Sequence, residues 1–265
     1  MRHLLRVLVI GVLLWSFSYA NGTGDAIGSV LVVSLRLRSG IPEISTCRQL
    51  ILVTTGSWED VSARVYLYKR GVRGKASWRR VGKPFPPVVG QRGLGWGIGL
   101  HGTGEAGAPR KREGDRKAPA GVFRLPTVFG VASPAQVSFL RLPYQQVTAT
   151  TVAVDDPGSK YYNRIVDRSA ISQPDWSSAE SMLQVGDSYR FGVMIEHNQL
   201  PFPGYGSCIF LHIWSRDHSG TAGCTAVDLA DLRRLLRWLD SKKNPLIVQL
   251  PMPEYLRLKQ DWGLP

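Results

Sequence analysis

Acidic residues are scarce in this chain, and so are cysteines and long apolar runs. Twenty Asp and Glu stand against 33 Lys and Arg, a formal net charge of +13 over 265 residues. A chain this basic is drawn to polyanions, namely anionic lipid surfaces or a cell-wall polymer. No nucleic-acid-binding motif accompanies the charge, so no nucleic-acid partner is expected. No Gly-Lys-Ser/Thr and no strand–GxGxxG–helix context is present, which removes the phosphate-cradle reading of the glycine-rich stretch 90–120. Three cysteines, Cys47, Cys208 and Cys224, cannot all pair. A Cys47–Cys208 bridge leaves Cys224 free, and three free thiols are equally allowed.

The longest apolar run near the start, Leu8 to Trp15, is short of the roughly 20 residues that span a bilayer. Arg2, His3 and Arg6 precede it, and Ser18-Tyr19-Ala20 follows with a small-x-small pattern. Residues 1–20 therefore read as a signal peptide, with an uncleaved anchor as the alternative. Loss of Arg2 and Arg6 lowers the charge from +13 to +11. The protein is expected to be exported, to the periplasm or cell envelope. Residues 21–47 read as a spacer, 48–251 as the ordered domain and 252–265 as a C-terminal tail.

Within the domain the apolar pattern is mostly that of strands. Gln49–Thr55 is a buried-strand run, and 63–69 alternates Val65 and Leu67 with Tyr66 and Tyr68. Short strands are predicted at 78–82, 87–90, 122–129, 147–154, 190–195, 207–214 and 246–250. Ser177–Leu183 reads as one or two helical turns, and 90–120 as a solvated loop. One strong helix follows Cys224. Asp228 is its cap, Leu229, Leu232, Leu235, Leu236 and Leu239 form its stripe, and Asn244-Pro245 ends it. The fold class is β-rich (α+β), a sandwich or barrel with one main helix.

The candidate chemistry lies at His212 and Cys224. A cysteine after Gly223 in a small-residue turn, with a histidine on the strand before it, suits an activated thiol. An ordinary thiol, with pKa about 8.5, is only a few per cent ionised at pH 7. A histidine base takes its proton as it attacks a carbonyl, and turn amides receive the oxyanion. Gly223 leaves room for the substrate. Trp214 and Trp96 are candidate walls of the substrate groove, with core or rim packing as the alternative for both. A packed thiol and a core histidine are the bland alternatives. Two ligands fall short of a zinc site, and adding His197 and His218 matches no compact finger. No metal and no cofactor is expected.

Gly206–Trp214 followed by Thr221-Ala222-Gly223-Cys224-Thr225-Ala226 resembles the L,D-transpeptidase family with the YkuD-type catalytic domain. Lys111–Asp115, Ala118–Phe123, Val154–Pro157, Tyr161–Arg164 and Glu196–Asn198 resemble further fragments of that family, in order, over about residues 48–251. The resemblance implies a YkuD-like fold with Cys224 as acylated nucleophile and His212 as base. It implies peptidoglycan stem peptides as substrate, cut between diaminopimelate and D-alanine. The acyl group then passes to an amine, of a second stem or of a lipoprotein lysine, and the enzyme works as a monomer. Acylation by carbapenems is a property of the family. Many members carry His before the Gly-Cys and Arg two residues after Cys, where this chain has Ala222 and Ala226. Arg164, Arg216 or Lys111 are the candidates to replace that Arg. Two rivals remain: a hydrolase using the same cysteine on stem peptides, and a non-catalytic wall-binding domain.

Overall fold

The run Gln49–Thr55 is buried at all seven positions, which places it inside a sheet with both faces covered. In the computed structural model, which describes residues 40–71, 77–104, 107–214 and 219–265, it is β1. The expected signal peptide, most of the spacer, Arg216 and His218 lie outside the described residues.

The other strands in chain order begin with β2 (Ala63–Lys69), β3 (Arg79–Arg80), β4 (Pro87–Val88), β5 (Leu94–Trp96), β6 (Ala118–Arg124) and β7 (Val128–Gly130). They continue with β8 (Tyr144–Gln146), β9 (Thr151–Val154), β10 (Arg164–Asp167), β11 (Ala179–Ser181) and β12 (Phe191–Met194). The last three are β13 (Phe210–Ile213), β14 (Thr225–Val227) and β15 (Leu246–Pro251). Three α-helices join them: α1 (Pro42–Thr46), α2 (Leu229–Trp238) and α3 (Met252–Trp262).

The strands form two mixed six-stranded sheets, β3-β2-β1-β15-β6-β5 and β4-β14-β13-β12-β7-β8, and a three-stranded sheet β10-β9-β11. The protein is thus β-rich α+β. The two large sheets share one apolar core, in which Ile51, Val53 and Ile247 of the first are buried with Val193, Leu211, Ile213 and Val227 of the second. A buried polar tie crosses between them. Thr225 Oγ1 on β14 donates to Gln249 Oε1 on β15 at 2.5 Å, and Gln249 Nε2 donates to Pro119 O on β6 at 2.9 Å. With its hydrogen bonds satisfied, such a buried network fixes the register of one sheet on the other.

The Asp228 cap is present, its carboxylate accepting from Ala230 N at 2.7 Å, and α2 buries Leu232, Leu235 and Leu236. The helix ends at Trp238, earlier than the expected stop at Asn244-Pro245, because the Arg141–Asp240 bridge takes the chain off the helix. Four segments depart from the sequence reading. Residues 252–265 are not a loose tail: α3 contacts β1 and β15 and buries Leu258. The end of the spacer forms α1, with Ile41, Ile44 and Cys47 buried in the core. Ser177–Leu183 is not helical but contains β11, because β9 offers it an antiparallel edge. The glycine-rich stretch is a loop only in part: β5 within it is wholly buried and pairs in parallel with β6, while most of the described residues of 98–117 are exposed or half-buried.

That last correction has a steric cause. At Gly93, φ is +75°, and an added Cβ would lie 2.0 Å from the backbone oxygen of Trp58. The glycines here let two backbones touch. Gly93→Ala is expected to cost at least about 3 kcal/mol, from the left-handed φ and the overlap together. Gly102→Ala, with equally positive φ but nothing within 4 Å, is expected to cost about 1–2 kcal/mol. Urea denaturation of both variants decides; equal losses would discount the backbone contact.

Candidate active site

β13 and β14 run parallel, with Leu211 opposite Thr225 and His212 opposite Ala226. Continuing this register puts Cys224 opposite Phe210, so Cys224 and His212 share one face of the sheet. Thr225, between Cys224 and Ala226, points the other way into the inter-sheet tie. The alternation of the strand thus presents the thiol on one face while the next residue anchors it to the other sheet.

The turn before β14 is clamped by Thr221. Its hydroxyl donates to Cys224 O at 2.6 Å and accepts from Gly223 N at 3.2 Å. The Gly223 amide is therefore engaged inside the turn, and of the expected oxyanion donors it is not the free one. Gly223 itself is close to backbone: an added Cβ would lie 3.2 Å from Lys117 O and 3.5 Å from Lys111 Nζ.

The thiol is held from behind. Phe210 N donates to Cys224 Sγ at 3.3 Å, and Sγ donates to Cys208 O at 3.8 Å. Cys208 has φ +49°, and its amide donates to Asn163 Oδ1 at 2.8 Å. No hydrogen bond joins His212 to Cys224 among the described residues. Burial pushes the Cys224 thiol up to about 12, with Glu180 adding to the rise while the Phe210 amide and Lys111 oppose it. The resting thiol is protonated.

His212 is 9 % exposed. Its Nδ1 lies 2.8 Å from Ile213 O. A carbonyl only accepts, so Nδ1 carries the proton and Nε2 the lone pair. Burial lowers the imidazole pKa, and the bond to Ile213 O raises it in part. Tyr189 meets the ring edge-to-face, with centroids 5.3 Å apart. Asn198 does not orient His212; its side chain bonds Phe202 and Gly206.

His212, Cys224, Trp214, Glu180 and Tyr189 line one open cavity of about 200 Å³. The structure therefore brings together Cys224, His212 and Trp214, with Gly223 in the turn beneath. Trp96 is core, 3 % exposed and edge-on to Trp58. Of the candidate replacements for an Arg after the cysteine, Arg164 and Lys111 do not line this cavity, and Arg216 lies outside the described residues. Arg164 lines another, beside Asn163 and Met194. Lys111 is buried, its Nζ 2.6 Å from Asp115 Oδ1. Asp156 accepts from Gly158 N, Ser177 N and Ser177 Oγ, so it braces a turn. All three cysteines are free thiols; no Cys47–Cys208 bridge forms. His197 is tied to Ile98 N and Tyr205 O. Among the described residues no three His, Cys, Asp or Glu side chains converge as metal ligands.

Sequence reasoning missed Thr221, Tyr189 and Glu180. Only Thr221 carried a signal, as a hydroxyl three residues before the cysteine in a turn. Among the described residues no helix is long and apolar enough to cross a membrane. No family model and no curated protein matches the chain.

Proposed function

We propose that the protein is an exported cysteine L,D-transpeptidase that acts on peptidoglycan stem peptides through a YkuD-like domain. The observation that carries the reading is the pairing of Cys224 and His212 in one cavity, with Nδ1 of His212 tied to Ile213 O and Nε2 left as the base. The resemblance of the sequence around both residues adds the substrate class.

The chemistry is an acyl transfer in two halves. The proton of Cys224 Sγ passes to His212 Nε2 as sulfur attacks the carbonyl between diaminopimelate and D-alanine. The Cys224 amide receives the oxyanion. The C–N bond breaks, His212 returns the proton to the leaving amine, and D-alanine departs. An acceptor amine, of a second stem or a lipoprotein lysine, then gives its proton to His212 and displaces the thiol. The enzyme works as a monomer at the cell envelope, without metal or cofactor.

The test is intact-protein mass after incubation with a carbapenem and, separately, product analysis on a tetrapeptide stem with and without added amine. One adduct, D-alanine release and an amine-coupled product are expected. D-alanine release with no coupled product makes water the acceptor and the enzyme a carboxypeptidase. No adduct and no release would overturn the reading.

A further inference from the structure

The cavity at Cys224 holds a carboxylate that the proposed acyl transfer does not use. Glu180 stands on β11, exposed at the cavity wall. Tyr189 Oη donates to Glu180 Oε2 at 2.8 Å, and the same Tyr189 ring packs edge-on against His212. The tyrosine thus fixes the carboxylate relative to the base. Among the described residues no Lys, Arg or His pairs with Glu180. Asp155 lies close enough for its charge to raise the Glu180 carboxyl further, after the rise that burial causes. Asp155 Oδ1 is itself buried without a hydrogen-bond partner. Lys111, which lowers the Cys224 thiol, is already neutralised by Asp115. Among the described residues, Glu180 is thus a carboxylate without a cationic partner in the cavity of Cys224.

We propose that Glu180, held by Tyr189, is the subsite that binds a primary ammonium group of the substrate next to Cys224. This rests on the acyl-transfer reading of the site. A carboxylate without a cationic partner attracts a cation, and one pre-positioned by Tyr189 binds it without losing rotamer freedom. A cavity of about 200 Å³ takes a compact ammonium-bearing side chain. The ammonium has two sources with the same chemistry. One is the side chain of the diamino acid in the acyl donor. The other is the acceptor amine, which arrives protonated at neutral pH and releases one proton to solvent before it attacks and gives the next to His212.

The experiment compares wild type, Glu180→Gln and Glu180→Asp on three probes. The first is a carbapenem lacking an amino group, read by intact mass. Its acylation rate in Glu180→Gln is expected to equal or exceed that of wild type by a few-fold, since it offers nothing to the carboxylate and the charge that raises the Cys224 thiol is gone. The second is a tetrapeptide stem with its side-chain ammonium free or N-acetylated, read by D-alanine release. The third is a titration of acceptor amine on the preformed acyl-enzyme. If the donor is the source, Glu180→Gln lowers kcat/KM for the free-ammonium stem by about 10- to 100-fold and leaves the acetylated stem unchanged. If the acceptor is the source, stem acylation is unchanged and aminolysis at low amine falls by a similar factor. Glu180→Asp is expected to recover part of either loss. Equal rates for Glu180→Gln and wild type in both arms would overturn the proposal. An equal fall on all probes, the carbapenem included, would reduce Glu180 to a structural brace and overturn it too. Wild type that forms no adduct and releases no D-alanine would remove the proposed function, and this inference with it.

Discussion

Cys224→Ala is expected to eliminate the covalent adduct and to lower stem turnover at least about 10⁴-fold, because Cys224 is the one thiol among the residues that line the cavity. His212→Ala is expected to cost about 10²- to 10⁴-fold. The two losses differ in their response to pH. Burial holds the Cys224 thiol at about 12, far above the ordinary thiol near 8.5. Ionising it before attack costs on the order of 5 kcal/mol more than ionising an exposed cysteine. The proton therefore has to move to His212 Nε2 as the bond to carbon forms. Without His212, residual activity is expected to climb about tenfold per pH unit between pH 7 and 10, as hydroxide does the work of the base. Iodoacetamide labelling of wild-type Cys224 is expected to climb in the same way and to show no plateau near pH 8.5. Turnover by His212→Ala within a few-fold of wild type would exclude His212 as the base. An adduct on Cys224→Ala would exclude Cys224 as the nucleophile.

The second large effect is on stability in acid. His197 is 2 % exposed, and burial lowers it to about 4; Lys111 and His101 add smaller repulsions. His101, enclosed by Trp96, Trp262 and Phe123, is lowered to about 4 by burial. Both are neutral in the folded state at neutral pH and have an ordinary pKa near 6.5 when unfolded. Between pH 6.5 and 4 the unfolded chain binds more protons, so stability falls as pH falls through that window. Each histidine contributes about 2 kcal/mol of loss between pH 7 and 4.5, and the pair about 4–5 kcal/mol. That is a large share of the stability of a typical domain. Urea unfolding at pH 7.0 and 4.5 measures it, and His197→Gln is expected to remove about half of the difference. The same midpoint at both values would show that these rings are hydrated and ordinary.

Parts of this molecule are legible along the chain because local pattern and tertiary environment agree. Gln49–Thr55 is apolar enough to be buried on both faces, and 63–69 alternates because only one face is. Asp228 caps its helix in the way the residue type dictates. Where pattern and environment part, the reading failed. Ser177–Leu183 is too short for its period to separate turn from strand, and the edge of β9 decided it. The β5 part of Gly-rich 90–120 looked solvated because glycine has no side chain to show burial. Its burial lies in the backbone contact between Gly93 and Trp58.

The same division holds at the candidate site. The sequence by itself determined which residues stand near each other on adjacent strands: Cys224, His212 and Trp214 lie within thirteen positions of one another. Their placement on one face follows from the parallel register of β13 and β14. It also determined the cap on α2 and the excess positive charge. Only the tertiary structure decided the protonation of the site. It brought Glu180 and Tyr189 to the cavity from more than twenty residues before His212, and buried Lys111 against Asp115. It closed Thr221 over the turn and raised the thiol to about 12. Desolvation and the summed fields of distant charges depend on what the folded chain packs around a group, and no spacing along the sequence encodes them.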